Sequence, residues 1–265
     1  MKNNIRIQKA LAQIGIASRR AIEKMIENKE ILVNNKIAEI GQKINYQDKV
    51  SINNKNIDLS SLNNINKSEQ HEVLLYNKPE GEICSKSDPN HENTVFRNLP
   101  KPKQGRWIQV GRLDLNTSGL LLFTTDGELA NKLMHPRQQI ERVYLTRVFG
   151  EINDNKINKL LNGVKLEDGL AKFKDIKLNN NQNNDKYNNK YNNKYNNKWL
   201  ECTLTEGRNR EVRRLWASQD CTVSRLMRIR FGNIVMPKNL KSGSFILLDK
   251  NSVSGLYQKA GLKSA

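Results

Sequence analysis

The hydrophobic patterning of the chain lapses across residues 53–70, and that break limits the fold more than any other feature. Ahead of it, Ile7, Leu11 and Ile14 recur at helical spacing before Gly15. A second helix follows Ser18, a plausible N-cap, with Ile22, Met25 and Ile26 on one face and Arg19, Arg20 and Lys24 largely on the other. Short strands come next, Ile31 to Val33 and a segment around Ile37 joined by Asn34-Asn35, then Lys49 to Ile52. Past residue 70, short apolar strands dominate: 73–76, 107–110, 119–124, 143–149, 199–205, 223–231 and 245–248. A helix capped by Asp126 or Thr125 and a second over Glu151 to Leu161 are readable among them. Residues 53–70 are rich in Asn, Ser and Lys and show no period, the composition of a solvated linker. The pattern predicts an α+β protein: a small module over 1–52, a linker over 53–70, a mainly antiparallel-sheet domain over 71–250 and a tail over 251–265.

One tract interrupts the second domain. Between residues 179 and 198 the chain repeats Lys-Tyr-Asn-Asn three times after an Asn-rich lead-in. With no apolar face it cannot offset its ordering entropy, so a disordered insertion between two strands is expected. The other reading is that its lysines and tyrosines hold RNA by charge and stacking. A four-residue period is too short for a solenoid.

Charge narrows the partners. Lys and Arg number 45 against 27 Asp and Glu, a formal net charge of +18, of which residues 1–70 carry +5 and the remainder +13. A basic surface on both parts points to a polyanion. Three cysteines, Cys84, Cys202 and Cys221, form no C-x-x-C pair, which fits a reducing compartment without a zinc site. His71, His91 and His135 are widely spaced, and neither H-E-x-x-H nor a glycine-rich phosphate loop occurs. Thr117-Ser118-Gly119 lacks the first glycine of a nucleophile elbow. An apolar run of four residues such as Leu120 to Phe123, which none exceeds, cannot span a bilayer. Charges at Arg6, Lys9, Arg19 and Arg20 interrupt any signal-peptide core, although a basic start with no acid before Glu23 leaves an organellar transit peptide open. Cytoplasm is the expected location, with no membrane partner.

Two segments carry candidate chemistry. Gly111-Arg112-Leu113-Asp114-Leu115-Asn116-Thr117-Ser118-Gly119 lies between two predicted strands, and alternation points Asp114 away from Leu113 and Leu115. Asp114 is a candidate nucleophile or base held ionised by Arg112; the plainer reading is a turn or an ion pair with that arginine. In Glu206 to Trp216, Val212, Leu215 and Trp216 make an apolar helical face, and Arg208, Arg210, Arg213 and Arg214 crowd a strand-to-helix transition. That is a phosphate-binding surface or a solvated basic helix. In the next strand Ser224, Leu226, Arg228 and Arg230 share one parity, which continues the basic surface on one sheet face.

With these residues in view, the chain resembles the bacterial rRNA pseudouridine synthases that carry an N-terminal alpha-L, or S4-type, RNA-binding domain. The resemblance rests on Asn77-Lys78-Pro79-Glu80-Gly81, the run from Gly111 to Pro136, Glu141-Arg142-Val143-Tyr144 and Glu206 to Trp216, and independently on residues 1–50. It departs from the wider family at Arg210-Glu211-Val212-Arg213, where a His-Gln pair is frequent and the large-subunit branch differs.

The resemblance implies isomerisation of a uridine to pseudouridine in large-subunit rRNA, naked or in an assembling particle, by a monomer that needs neither cofactor nor metal. Asp114 falls on the catalytic aspartate, acting by attack on C1′ or by abstraction of the 2′ proton. Tyr144 falls on the active-site tyrosine that stacks on the base, and Arg213 on the basic residue expected to pair with the carboxylate. Arg112 would assist flipping or contact phosphate, Val212 would wall the base, and Lys78, Arg208 and Arg210 would bind substrate. Arg6, Lys9, Arg19, Arg20 and Lys24 would bind RNA in the small domain. The rivals are a noncatalytic rRNA-binding or ribosome-assembly factor on the same fold, and a methyltransferase, which the missing glycine-rich strand-turn-helix disfavours.

Overall fold

The computed structural model describes residues 4–63, 71–86, 88, 92–179 and 197–263. Nearly all of the Lys-Tyr-Asn-Asn tract, the second half of the predicted linker and His91 lie outside these residues.

In the small domain, β1 (Ile5–Arg6) runs into α1 (Ile7–Gln13), and the Ser18 hydroxyl accepts the Ala21 N–H at 3.1 Å to cap α2 (Arg19–Glu27). The strands β2 (Ile31–Val33), β3 (Lys36–Ile37), β4 (Lys43–Ile44), β5 (Val50–Ile52) and β6 (Lys55–Ile57) follow. They form a sheet in the order β3-β2-β5-β6, with β4 paired to β1. Ile7, Leu11, Ile22, Ile31 and Ile44 are fully buried between helices and sheet. Asn34 and Asn35 both take positive φ, the conformation a two-residue hairpin turn demands. Asn53 and Asn54 do the same, turning β5 into β6, and Leu59 is buried beyond them. The start of the predicted linker therefore belongs to this domain. Its asparagines are turn residues, and β6 carries one apolar side chain, too few to show a period.

The second domain comprises β7 (Val73–Lys78), β8 (Ile108–Val110), β9 (Ser118–Thr124), α3 (Gly127–Met134), β10 (Arg142–Phe149), α4 (Asp154–Asn162), β11 (Val164–Leu166), β12 (Gly169–Ala171), β13 (Asp175–Leu178), β14 (Lys198–Leu204), α5 (Glu211–Ala217), β15 (Thr222–Phe231), β16 (Ile234–Val235), β17 (Phe245–Leu247) and α6 (Lys250–Lys259). The central sheet runs β13-β14-β10-β15-β9-β7-β17, with β16 beside β15 and β8 beside β9. Every pairing is antiparallel except β15 with β9.

The four-residue apolar run is explained by burial on both faces of this sheet. Leu121 and Phe123 join Leu74, Tyr76 and Trp107 on one side, where α5 packs through Val212, Leu215 and Trp216. Leu120 and Leu122 join Val73, Leu75 and Leu129 on the other, where α3 and α6 pack. Residues 250–259, expected in part as a tail, are a helix that seats Leu256 and Tyr257 in that second core. The Tyr257 hydroxyl donates to Asp126 at 2.7 Å, and burial, then the carboxylate, pushes its pKa up.

The parallel joint needs a glycine. Gly119 has φ +101°, and a Cβ there would stand 2.4 Å from the Arg228 carbonyl oxygen. Along β15 the register against β10 skips Ile229, a bulge that shifts side-chain parity. Arg228 lies buried on the face of Leu226, while Arg230 beyond the bulge reaches Glu141 at 3.0 Å, so the expected single basic face does not form.

Candidate active site

The parallel joint opens into a cleft of about 860 Å³, within the range of small-molecule sites. It is formed by the loop 111–117, the end of β14 with the loop into α5, and parts of β10 and β15. Asp114 sits in that loop, half-buried on the cleft wall. Leu113 is buried beside it, whereas Leu115 is largely exposed, so strand alternation does not hold there. The Thr117 N–H instead closes a turn on the Asp114 carbonyl at 3.0 Å. The Asp114 carboxylate makes no hydrogen bond or ion pair among the described residues, which removes the plainer reading of an Arg112 pair.

The loop is held from below. Lys78, fully buried at the end of β7, donates from Nζ to the carbonyls of Pro79 (2.9 Å), Asp114 (3.2 Å) and Thr117 (2.9 Å). The Gly81 N–H donates to the Leu115 carbonyl at 2.9 Å, and the Leu113 N–H to Cys84 Sγ at 3.4 Å. Burial pulls the Lys78 pKa down, and carboxylates including Asp114 oppose that. Lys78, expected to bind substrate, does not line the cleft. Its geometry is that of a clamp on the loop that carries Asp114.

Tyr144, Val212, Arg112, Arg208 and Arg210 all line the cleft with Asp114. They differ in freedom. Arg112 and Arg210 are exposed at the rim. Arg208 is committed: Nε donates to Glu206 at 3.0 Å and Nη2 to the Leu170 carbonyl at 2.7 Å. With Arg214, which bonds both oxygens of Asp168 at 2.8 Å, it ties the β11-β12 hairpin to α5.

Arg213 corrects another expectation. It makes no ion pair with Asp114 within 4.0 Å and does not line the cleft. Nη1 donates to the Val223 carbonyl at 2.7 Å and Nη2 to the Asn116 carbonyl at 2.8 Å, because its place on α5 aims the guanidinium at the back of the loop. Burial, then Arg210, lowers its pKa, while Asp114 and Glu80 act the other way.

Three groups in the cleft were not singled out as site residues from the sequence. Arg142, buried and donating to the Ile140 carbonyl at 3.0 Å, lies over the Phe231 ring. Arg228 is buried, with Nε on the Leu120 carbonyl at 2.7 Å and Nη2 without a partner among the described residues. Glu211 is buried near Glu206 and accepts the Arg208 N–H at 3.0 Å; burial, then Glu206, pushes its pKa up to about 7. The signal for Arg142 was its parity with Tyr144 on one strand, and that for Arg228 its parity with Leu226.

Among the described residues there is no cluster of His, Cys, Asp and Glu able to hold a metal ion, and no helix long and apolar enough to cross a membrane. In the small domain Arg6, Arg19, Arg20 and Lys24 are exposed and Lys9 is half-buried.

A two-domain chain with an acidic loop at a parallel joint in a mixed sheet agrees with comparison to known proteins. Residues 72–218 match the family model described as RNA pseudouridylate synthase, and residues 5–50 match the S4 domain. The chain belongs to the RNA pseudouridylate synthase family and is an enzyme of that class. It is 45% identical over 98% of its length to the ribosomal large subunit pseudouridine synthase B of Vibrio vulnificus, of which it covers 77%. It is 49% identical over 97% of its length to the protein of that name in Haemophilus influenzae, covering 68% of it. The counterpart in Buchnera aphidicola is 46% identical and covered to 99%. A solved pseudouridylate synthase, 23% identical, shares the fold with a TM-score of 0.61 over 95% of this chain and 99% of that one.

Proposed function

We propose that the chain converts a uridine of large-subunit ribosomal RNA to pseudouridine, with Asp114 as the catalytic carboxylate. The reading takes its RNA from the relatives' names and its chemistry from one observation: a carboxylate without an internal partner among the described residues, in a cleft shared with Tyr144 and five arginines. The target nucleotide leaves its stack to reach the cleft, since its glycosidic bond is inaccessible within a helix. The N1–C1′ bond breaks, the uracil turns, C5 bonds to C1′, and the C5 proton is lost as N1 gains one. Asp114 acts either by attack on C1′ or by taking the 2′ proton. Tyr144 stacks on the base, Val212 supplies an apolar wall, and Arg112 and Arg210 contact phosphate at the rim. Lys78 and Arg213 are positioning residues that hold the loop, and no cofactor enters this scheme.

Incubation with large-subunit rRNA, followed by chemical mapping of pseudouridine, tests the reading. A new site with the wild type and none with Asp114→Asn is the expected result. Equal product from both proteins rules out the carboxylate, and no product from either leaves a noncatalytic RNA-binding role.

A further inference from the structure

The two domains touch backbone to backbone. A Cβ on Gly15 would stand 2.8 Å from the Gly105 oxygen, and one on Gly105 would stand 2.8 Å from the Gln13 oxygen. The loop closing α1 is thus seated against the loop entering β8. Beside this junction Arg19 opens α2, and Arg106 follows Gly105. Arg106 is half-buried, and its Nε is wholly enclosed without a hydrogen-bond partner among the described residues. Burial, then the charge of Arg19, pulls the Arg106 pKa down; burial, then Arg106, does the same to Lys86, whose Nζ lies 5.6 Å from the centre of the Phe96 ring. None of the three cations makes an ion pair among the described residues. Neighbouring cations without a counter-charge repel one another and the enclosed Arg106 Nε lacks an acceptor, and an anion with several acceptor oxygens relieves both costs. Lys86 also adjoins Ser85 and Cys84 on the cleft wall, so the cluster leads from the small domain to the candidate site.

We propose that the seam between the domains holds a phosphodiester of the RNA strand on Arg19, Arg106 and Lys86, joining the small domain's grip to the path into the cleft. The proposal deepens the RNA reading above and rests on it. Its partner is nucleic acid, because exposed Arg6, Arg20 and Lys24 on the small domain and Arg112 and Arg210 at the cleft rim supply cations on both sides of the seam.

The test measures binding of a fluorescein-labelled RNA stem-loop with a single-stranded flank to the full-length protein over a range of KCl. Arg19→Ala and Lys86→Ala remove exposed side chains and leave the fold intact; Arg106→Ala and Arg106→Lys complete the set, with Lys238→Ala, an exposed lysine between β16 and β17, as the control for loss of one charge. Each Ala variant in the seam should bind about three- to tenfold more weakly, with the log–log salt slope reduced by about 0.7 for each phosphate no longer neutralised. Unchanged slopes in Arg19→Ala and Lys86→Ala overturn the proposal, as does weaker binding at unchanged slope, which assigns the residues to domain docking. Pseudouridine formation on large-subunit rRNA is scored with the same wild-type preparation. No product there sinks the function reading, whereas product with unchanged slopes sinks this inference alone.

Discussion

Lys78 Nζ lies 3.2 Å from the backbone oxygen of Asp114, so the residue that presents the carboxylate is fastened through its main chain and its side chain is left to the cleft. Replacing Lys78 by Met keeps much of the apolar stem and takes the Nζ donor from the carbonyls of Pro79 and Thr117, while the Asp114 carbonyl keeps the Thr117 N–H. Unsatisfied buried acceptors cost about 1–3 kcal/mol each, so a loss of about 3 kcal/mol or more is expected in urea unfolding. Turnover should fall further than RNA affinity, since the lysine is outside the cleft; equal falls in both would contradict a positioning role.

Asp114→Asn removes charge from a carboxylate with no hydrogen bond or ion pair among the described residues. Unfolding temperature and RNA affinity should stay close to wild type, while pseudouridine formation drops by about 10³-fold or more, the scale of losing an essential general base or nucleophile. Calorimetry alongside a tritium-release assay separates the two effects, and a large drop in stability would mean the carboxylate is structural.

Gly119→Ala tests the parallel joint. The added methyl meets the Arg228 carbonyl at 2.4 Å in a left-handed backbone conformation, so β9 and β15 must part. Destabilisation of about 2–4 kcal/mol is expected from overpacking plus strain, together with loss of activity. Gly41→Ala is the control: its φ is also positive, but nothing lies within 4 Å.

Glu211 makes stability depend on pH. Its folded pKa is about 7 against an ordinary 4.5, because burial and Glu206 favour the protonated form. Below about pH 4.5 the stabilising contribution is fully present. As pH rises toward 7 the unfolded chain gives up a proton that the folded chain keeps, so the contribution declines through that window and then levels off. Glu211→Gln should flatten the decline in chemical-denaturation curves taken between pH 5 and pH 8; an identical slope in both proteins would refute it.

Local chemistry was legible where one residue type answers one geometric demand. Ser18 and Asp126 cap helices, Asn34-Asn35 turns a hairpin, and Leu120 to Phe123 is a strand buried on both faces. Motifs far apart in the sequence bring Asp114, Tyr144 and Val212 to one cleft. What stayed illegible depends on long-range packing. The bulge at Ile229 reverses the reading of β15, and no local pattern announces it. Lys78 and Arg213 satisfy backbone carbonyls far away in sequence, whereas motif position gave Lys78 a substrate contact and Arg213 a pairing with the Asp114 carboxylate. The helix at 250–259 was missed because Gly255 and three polar residues in its first turn blur its apolar stripe, although Asp249 caps it.

The pairing of β7 with β17 joins Leu75 to Ile246, across most of the catalytic half of the polypeptide. During synthesis, the first strand of this sheet leaves the exit tunnel long before its outer neighbour exists. Until α6 has emerged, Leu75, Leu122 and Leu129 lack part of their cover, and the nascent chain carries an open hydrophobic edge that invites association. Premature termination shortly before residue 245 should therefore yield an aggregation-prone product rather than a smaller working enzyme.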